Sequence, residues 1–188
     1  MMKSLVHLLL LLSISIPGLA AERFDIDPQH TWSIFEYRNW GLSLQRGRFD
    51  RNAGFIELDQ QTKTGVIDIE VDAASISTGL ELLNKILRSA DFFDVDHHPK
   101  ISFKSSRLHF DQERLVQAEG ELTIKGITRP TTLEVTHFDC HSTATGGKPA
   151  CAADGFAKIS RSDFKLGHFT PFVSDGVTLY FSVEGVKN

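Results

Sequence analysis

Two cysteines, six prolines and no run of basic residues define this chain by what it has little of. Phosphate binding needs clustered Lys and Arg, and the formal net charge here is −4, so nucleic acid is not an expected partner. Catalytic signatures are missing as well. There is no Gly-x-Ser-x-Gly elbow, no His-Glu-x-x-His helix and no phosphate-cradling glycine loop. The serines are plentiful, but none has a motif around it. The expectation is a protein that is not an enzyme, with no catalytic residues and no metal. After Ala21 no stretch is apolar enough to span a membrane.

The start of the chain has the build of a secretory signal peptide. Met1-Met2-Lys3 supplies the charged start, Leu5 to Ile16 a short leucine-rich core, and Pro17-Gly18-Leu19-Ala20-Ala21 the small residues for cleavage near Ala20 or Ala21. A membrane anchor is the rival, but the apolar run falls short of the ~20 residues a spanning helix needs. No cysteine sits at the cleavage point to take a lipid. The reading is a leader over 1–21, a single domain over 22–188, and a periplasmic or secreted product. Cys140 and Cys151 agree with export, where disulfides persist. Their spacing excludes a CxxC redox pair. A bond between them is expected, worth ~3 kcal/mol less any strain in the chain-entropy model. Two free thiols are the alternative.

Along the chain, antiparallel strand patterns dominate. Short strands are expected over 24–26 and 31–38, and a strand over 49–58 carries an irregularity near Asn52-Ala53-Gly54. Residues 66–73 alternate cleanly, with Asp68, Glu70 and Asp72 toward water and Ile67, Ile69 and Val71 toward a core. Three carboxylates along one strand do not encircle a calcium ion, so that stripe reads as a solvated face. Ser77 or Thr78 can cap a helical run over 80–87. Then come a loop carrying Phe92-Phe93, a hairpin of 101–110 with 115–125 around Asp111-Gln112-Glu113, and a turn at Gly126. Strands over 131–138, with Pro130 at the beginning, and over 155–160 follow. A Phe-rich connection over 164–174 leads to a last strand with Val177, Leu179, Phe181 and Val183 on one face. Regular strands with one helix read as a single closed barrel.

The helix and its loop carry a resemblance. Leu87-Arg88-Ser89-Ala90-Asp91-Phe92-Phe93-Asp94, followed by Pro99-x-Ile101-x-Phe103-x-Ser105, resembles the signature of the YceI-like family of periplasmic lipid-binding barrels. Residues His30 to Phe35, Gly47-Arg48-Phe49 and Gly120 to Pro130 fit the same family, in order and at family-like spacing. The resemblance implies an all-β, eight-stranded antiparallel lipocalin-like barrel with one inserted α-helix. It implies a polyisoprenoid or similar amphiphilic lipid inside, for transport, storage or stress response, and it favours Ser33, Phe35 and Tyr37 as the inward face. Relatives occur beside b-type cytochromes. An enzyme or redox accessory acting on isoprenoid quinones is therefore the alternative function, with a membrane cytochrome or transient membrane contact among the partners.

The residues expected to line the ligand chamber are Phe35, Tyr37, Ile67, Ile69, Val71, Phe92, Phe93, Phe103, Leu179 and Phe181. No cofactor is expected beyond a bound isoprenoid lipid or quinone. A packed interior is the alternative to an open one, since alternating strands look the same in both. The chain departs from the family where relatives commonly carry Asp-x-His, here Asn84-Lys85-Ile86, and at Asn39, where His is frequent. Arg88 is kept, and tying the helix to its loop is the favoured role over contact with a ligand head group. His97-His98 is the most tempting metal candidate, but adjacent residues tend to point apart and no partner stands at ligand spacing. His30 reads as structural.

Overall fold

The period-two alternation of residues 66–72 becomes β5 (Thr64–Asp72), with Ile67 and Val71 buried and the acidic side chains half-buried on the other face. The computed structural model describes residues 21–142 and 147–188, and the expected leader lies outside them. The other elements are β1 (Glu22–Ile26), β2 (Trp32–Asn39), β3 (Ser43–Phe49), β4 (Asn52–Asp59), β6 (Ile76–Ser77), α1 (Glu81–Arg88), β7 (Lys100–Asp111), β8 (Arg114–Ile124), β9 (Ile127–Ser142), β10 (Pro149–Ser160) and β11 (Gly176–Lys187).

These strands form an eight-stranded closed antiparallel barrel with one helix, as expected. β1 and β2 act as one long bent strand, because β1 pairs with β4 and β2 with β3, while β11 pairs with both. β3 and β4 form the second such strand, and β5 and β6 the third. The meander runs on through β7, β8, β9 and β10 to β11, which closes on β1. Up-and-down connectivity sorts the connections between two ends. The β2–β3 hairpin, α1 with its Phe92-Phe93 loop, the Lys125-Gly126 turn and the segment 161–175 gather at one end, which we call the mouth. The turns at 60–63 and 112–113, the C-terminal end of β9 and the N-terminal end of β10 lie at the other.

Several expectations are corrected. β3 falls in a stretch for which no strand is expected, and the break lies at Asp50-Arg51, between β3 and β4, rather than at Asn52-Ala53-Gly54. Gly54 lies inside β4 with φ +134°. A Cβ there would meet the Ile69 backbone, so close approach of two strands requires glycine. The helix starts at Glu81 after Leu80, which offers no side-chain cap. Thr78 instead donates its hydroxyl to the Asn84 side chain at 2.8 Å. Pro130 sits within β9 rather than at its beginning. Residues 127–133 of β9 pair only with β8, so a missing N–H there costs no ladder bond toward β10.

Cys140 and Cys151 are bonded, as expected, and are directly opposed partners in the β9–β10 ladder. That ladder runs from Pro149–Ser142 to Phe156–Glu134 and then stops. Beyond it, toward the mouth, β10 stays paired with β11 and β9 with β8. The seam between them forms a cleft bordered by Phe164, from the short 3-10 turn Arg161–Phe164. At 1 % exposure Phe164 is among the most buried side chains described.

Candidate functional site

The barrel encloses an apolar cavity of about 370 Å³. That volume is at the lower end of the ~300–1,000 Å³ usual for small-molecule sites. All ten residues expected to line the chamber border it. Phe35 and Tyr37 come from β2, Ile67, Ile69 and Val71 from β5, Phe103 from β7, and Leu179 and Phe181 from β11. Phe92 and Phe93 enter from the mouth. Helix residues Leu83, Ile86 and Leu87 close over them, so the helix lies across the open end.

Glycine keeps the bore open. Gly47 is the cross-strand partner of Phe35, and a Cβ at Gly47 would fall 2.7 Å from Phe35 Cε1. Gly155 stands in the same relation to Phe181. Gly120 is a diagonal neighbour of Phe103, two residues from its partner Leu122, and a Cβ there would fall 2.8 Å from the Phe103 Cζ. Each ring lies flat over a strand that has no side chain at that point. The three rings therefore cover the wall instead of filling the lumen. Phe49 supports the arrangement from beside them, 5.7 Å from the Phe35 ring and edge-on to Phe93 at 5.5 Å.

Polar groups are few and lie toward the mouth. Tyr37 is half-buried, and burial raises its phenol above the ordinary range against the opposing pull of Arg161. Ser33 donates to Asn52 at 2.6 Å. Arg161, at the cavity wall, was not expected at all. Its guanidinium donates to the carbonyls of Ser174 (2.9 Å), Leu166 (2.6 Å), His168 (3.3 Å) and Val173 (3.0 Å), and to the Thr170 hydroxyl (3.4 Å). Desolvation lowers its pKa, with Asp175 and Tyr37 acting in the other direction. It remains a cation, as arginine does throughout the range in which proteins fold. Its donors are spent on shaping residues 165–174 into a wall of the mouth, where His168 and Phe169 pack on Phe92. A sequence carries no trace of such a clamp, because its acceptors are main-chain carbonyls.

The departures from the family pattern have local roles. Asn84 is buried and accepts both the N–H and the hydroxyl of Thr78, each at 2.8 Å, while Ile86 adds apolar surface to the mouth. Asn39 sits in the β2–β3 hairpin, bridged to Val173 of the opposite loop. Arg88 donates to Ala74 and Ile76 carbonyls, tying the helix to the chain before it. His97 bonds Asp94 at 2.8 Å, which raises the His97 pKa and lowers that of Asp94. His30 makes the same contact with Asp27 at the bend between β1 and β2, again with a raised imidazole and a lowered carboxyl. Asp27, His30 and Glu184 place their ligand-type atoms within 4.8 Å of one another.

Comparison with known proteins agrees with this architecture. The model of the YceI-like domain matches residues 24–185. Protein YceI of Shigella flexneri is 30% identical over 191 aligned residues, covering 100% of this chain and 99% of the relative. Among solved structures, BcnA of Burkholderia cenocepacia superposes with a TM-score of 0.71 at 23% identity, covering 85% of this chain and 99% of its own. A polyisoprenoid binding domain from Saccharophagus degradans, implicated in plant cell wall breakdown, superposes at 0.65 with 16% identity, covering 88% and 98%.

Proposed function

Because the chain belongs to the YceI-like domain family, we propose that it is an exported, non-catalytic protein that holds one polyisoprenoid or similar amphiphilic lipid in its barrel. The observation that carries this reading is the cavity itself, whose lining is aliphatic and aromatic except near the mouth. The structural likeness to a polyisoprenoid binding domain agrees with it. A chain inserted tail-first would gain ~0.8 kcal/mol per buried CH₂, so a few isoprene units offset several kcal/mol of association cost. The head group would then lie near Tyr37, His168 and the residues of the mouth. The ten lining residues named from the sequence would be the ones that touch the tail.

Chemistry on a quinone would need polar donors converging on the reacting carbonyls. The polar side chains at this cavity are dispersed, and the donors of Arg161 are spent on the 165–174 segment. Export to the periplasm is supported by the leader pattern and by the Cys140–Cys151 bond. Native mass spectrometry of protein purified from its own cells tests the reading. A co-purifying lipid is the expected result. Bare protein in every preparation, with no uptake of polyisoprenoid on incubation, would overturn it.

A further inference from the structure

The mouth carries an apolar surface that its neighbours leave uncovered. Trp40, Leu42, Phe169 and Phe172 are 63%, 85%, 64% and 52% exposed, and Leu44 and Ile86 add to them. They come from three connections that the meander brings to the same end. Trp40 packs on Phe172 with ring centroids 4.5 Å apart, and the Trp40 N–H donates to the Phe172 carbonyl at 2.6 Å. Phe169 stacks on Phe92, which is itself part of the cavity lining. Ile86 and Phe169 are both exposed and lining, so the surface runs without a polar break from solvent into the lumen. The two exposed rings of Trp40 and Phe169 are held on left-handed backbone, at φ +53° and +66°. Bulky residues rarely adopt that conformation, and it persists only where the surroundings impose it.

Charge on the same connections is mixed. Arg46 pairs with Glu36 and Arg88 with Glu81, while Arg38, Lys85 and Lys165 and the carboxylates of Asp91, Asp96 and Asp163 have no ion-pair partner among the described residues. The surface is therefore distinguished by its exposed Trp, Phe and Leu side chains at the rim of an apolar chamber, the composition of a lipid–water interface.

We infer that the mouth of the barrel docks on a bilayer surface, with Trp40, Leu42 and Phe172 entering the head-group region. The inference rests on the lipid-cargo reading and extends it. A tail leaving the bilayer would enter the lumen past Phe169 and Ile86 without crossing water.

Vesicles of phosphatidylethanolamine with phosphatidylglycerol provide the test. The protein should float with them, and high salt should not release it. In a Trp32→Phe protein, where Trp40 is the one remaining tryptophan, emission should shift to the blue on mixing. Trp40→Asn with Leu42→Ser keeps a residue tolerant of left-handed backbone and touches no lining residue. That variant should lose about a hundredfold in vesicle affinity, since each of the two large apolar side chains withdrawn from the interface is worth roughly a decade. Its content of co-purified lipid should be unchanged. A parent protein that carries lipid but neither floats nor shifts overturns docking and leaves the cargo reading intact. A protein that docks but never holds lipid keeps docking and removes the cargo. Dimers that vanish in the double variant, without vesicle binding by the parent, would assign the surface to a second copy and overturn the inference.

Discussion

Phe35 and Gly47 face each other across the β2–β3 pair, and the ring of one occupies the space that a Cβ of the other would need. Gly47 meets nothing but that ring within the closest contacts, whereas a Cβ at Gly120 or Gly155 would also strike backbone. Position 47 is therefore the cleanest place to ask whether the rings hold the bore open.

Gly47→Ala should push Phe35 into the lumen, lowering the amount of lipid retained at a stability cost of ~1–3 kcal/mol, as for overpacking. Adding Phe35→Leu should restore much of the retention, because the smaller side chain clears the new methyl. Lipid content by mass spectrometry and denaturant midpoints check both. Unaltered retention in Gly47→Ala would show that the ring has other room to move.

Ile69→Trp addresses the lumen from the next barrel strand, β5. Ile69 borders the cavity and is not fully buried, so the added volume enters space open to a ligand. Retention should fall while the thermal stability of lipid-free protein stays close to that of the parent. A loss beyond the ~1–3 kcal/mol of ordinary overpacking would mean that the space is not available.

Arg161→Lys tests the clamp on residues 165–174. Lysine keeps the charge but cannot reach five acceptors spread around a planar fork. Stability should fall by about 2–4 kcal/mol, since hydrogen bonds to a charged group are worth ~1.5–3 kcal/mol each and some are remade. Amide exchange should accelerate at Leu166, Thr170, Val173 and Ser174, ahead of the strands. Uniform acceleration across the barrel would count against a local clamp.

The Asp94–His97 contact gives a pH signature. His97 should titrate above the ordinary 6.5, held up first by the hydrogen bond to Asp94 and then by its charge and that of Asp96. Its contribution to the loop is complete below 6.5 and is lost as pH rises through the folded value. Asp94, lowered from 3.8, contributes above that value and is lost as pH falls through its own folded pKa. The loop is thus tightest between the two, a small effect because His97 is exposed. Asp94→Asn preserves the left-handed backbone at that position and should return His97 to the ordinary range by NMR titration.

Thiol labelling of unreduced, denatured protein should find no free sulfhydryl. Replacing both cysteines by serine should cost at most ~3 kcal/mol, leaving the barrel folded, because the β9–β10 ladder and the core persist without the bond. Full labelling of the parent, or global unfolding of the double variant, would contradict this.

What the sequence made legible follows from where its information lies. β5 could be read because acids and aliphatics alternate along it, and the 112–113 turn because polar residues interrupt two apolar runs. The ten cavity residues share inward faces that alternation or family likeness could assign. β3 stayed hidden because the inward residue that defines its centre is Gly47, and Leu44, Gln45 and Arg46 are exposed. Its pairing is imposed by β2 and not by its own pattern. Pro130 argued for a strand start, and only the missing β10 partner explains its place inside β9. Arg161 and the exposed Trp40 and Phe172 gain their meaning from loops that are distant in sequence and adjacent in the fold.

The β9–β10 pair is laced at one end and unlaced at the other. A covalent bond and a backbone ladder, irregular only at Asp154-Gly155, fix the separation of the two strands far from the mouth, while near it the turn carrying Phe164 borders the gap between them. The wall therefore has compliance with a direction. A change of strand spacing near the mouth would disturb side-chain packing rather than backbone hydrogen bonds, whereas the far end keeps a fixed gauge.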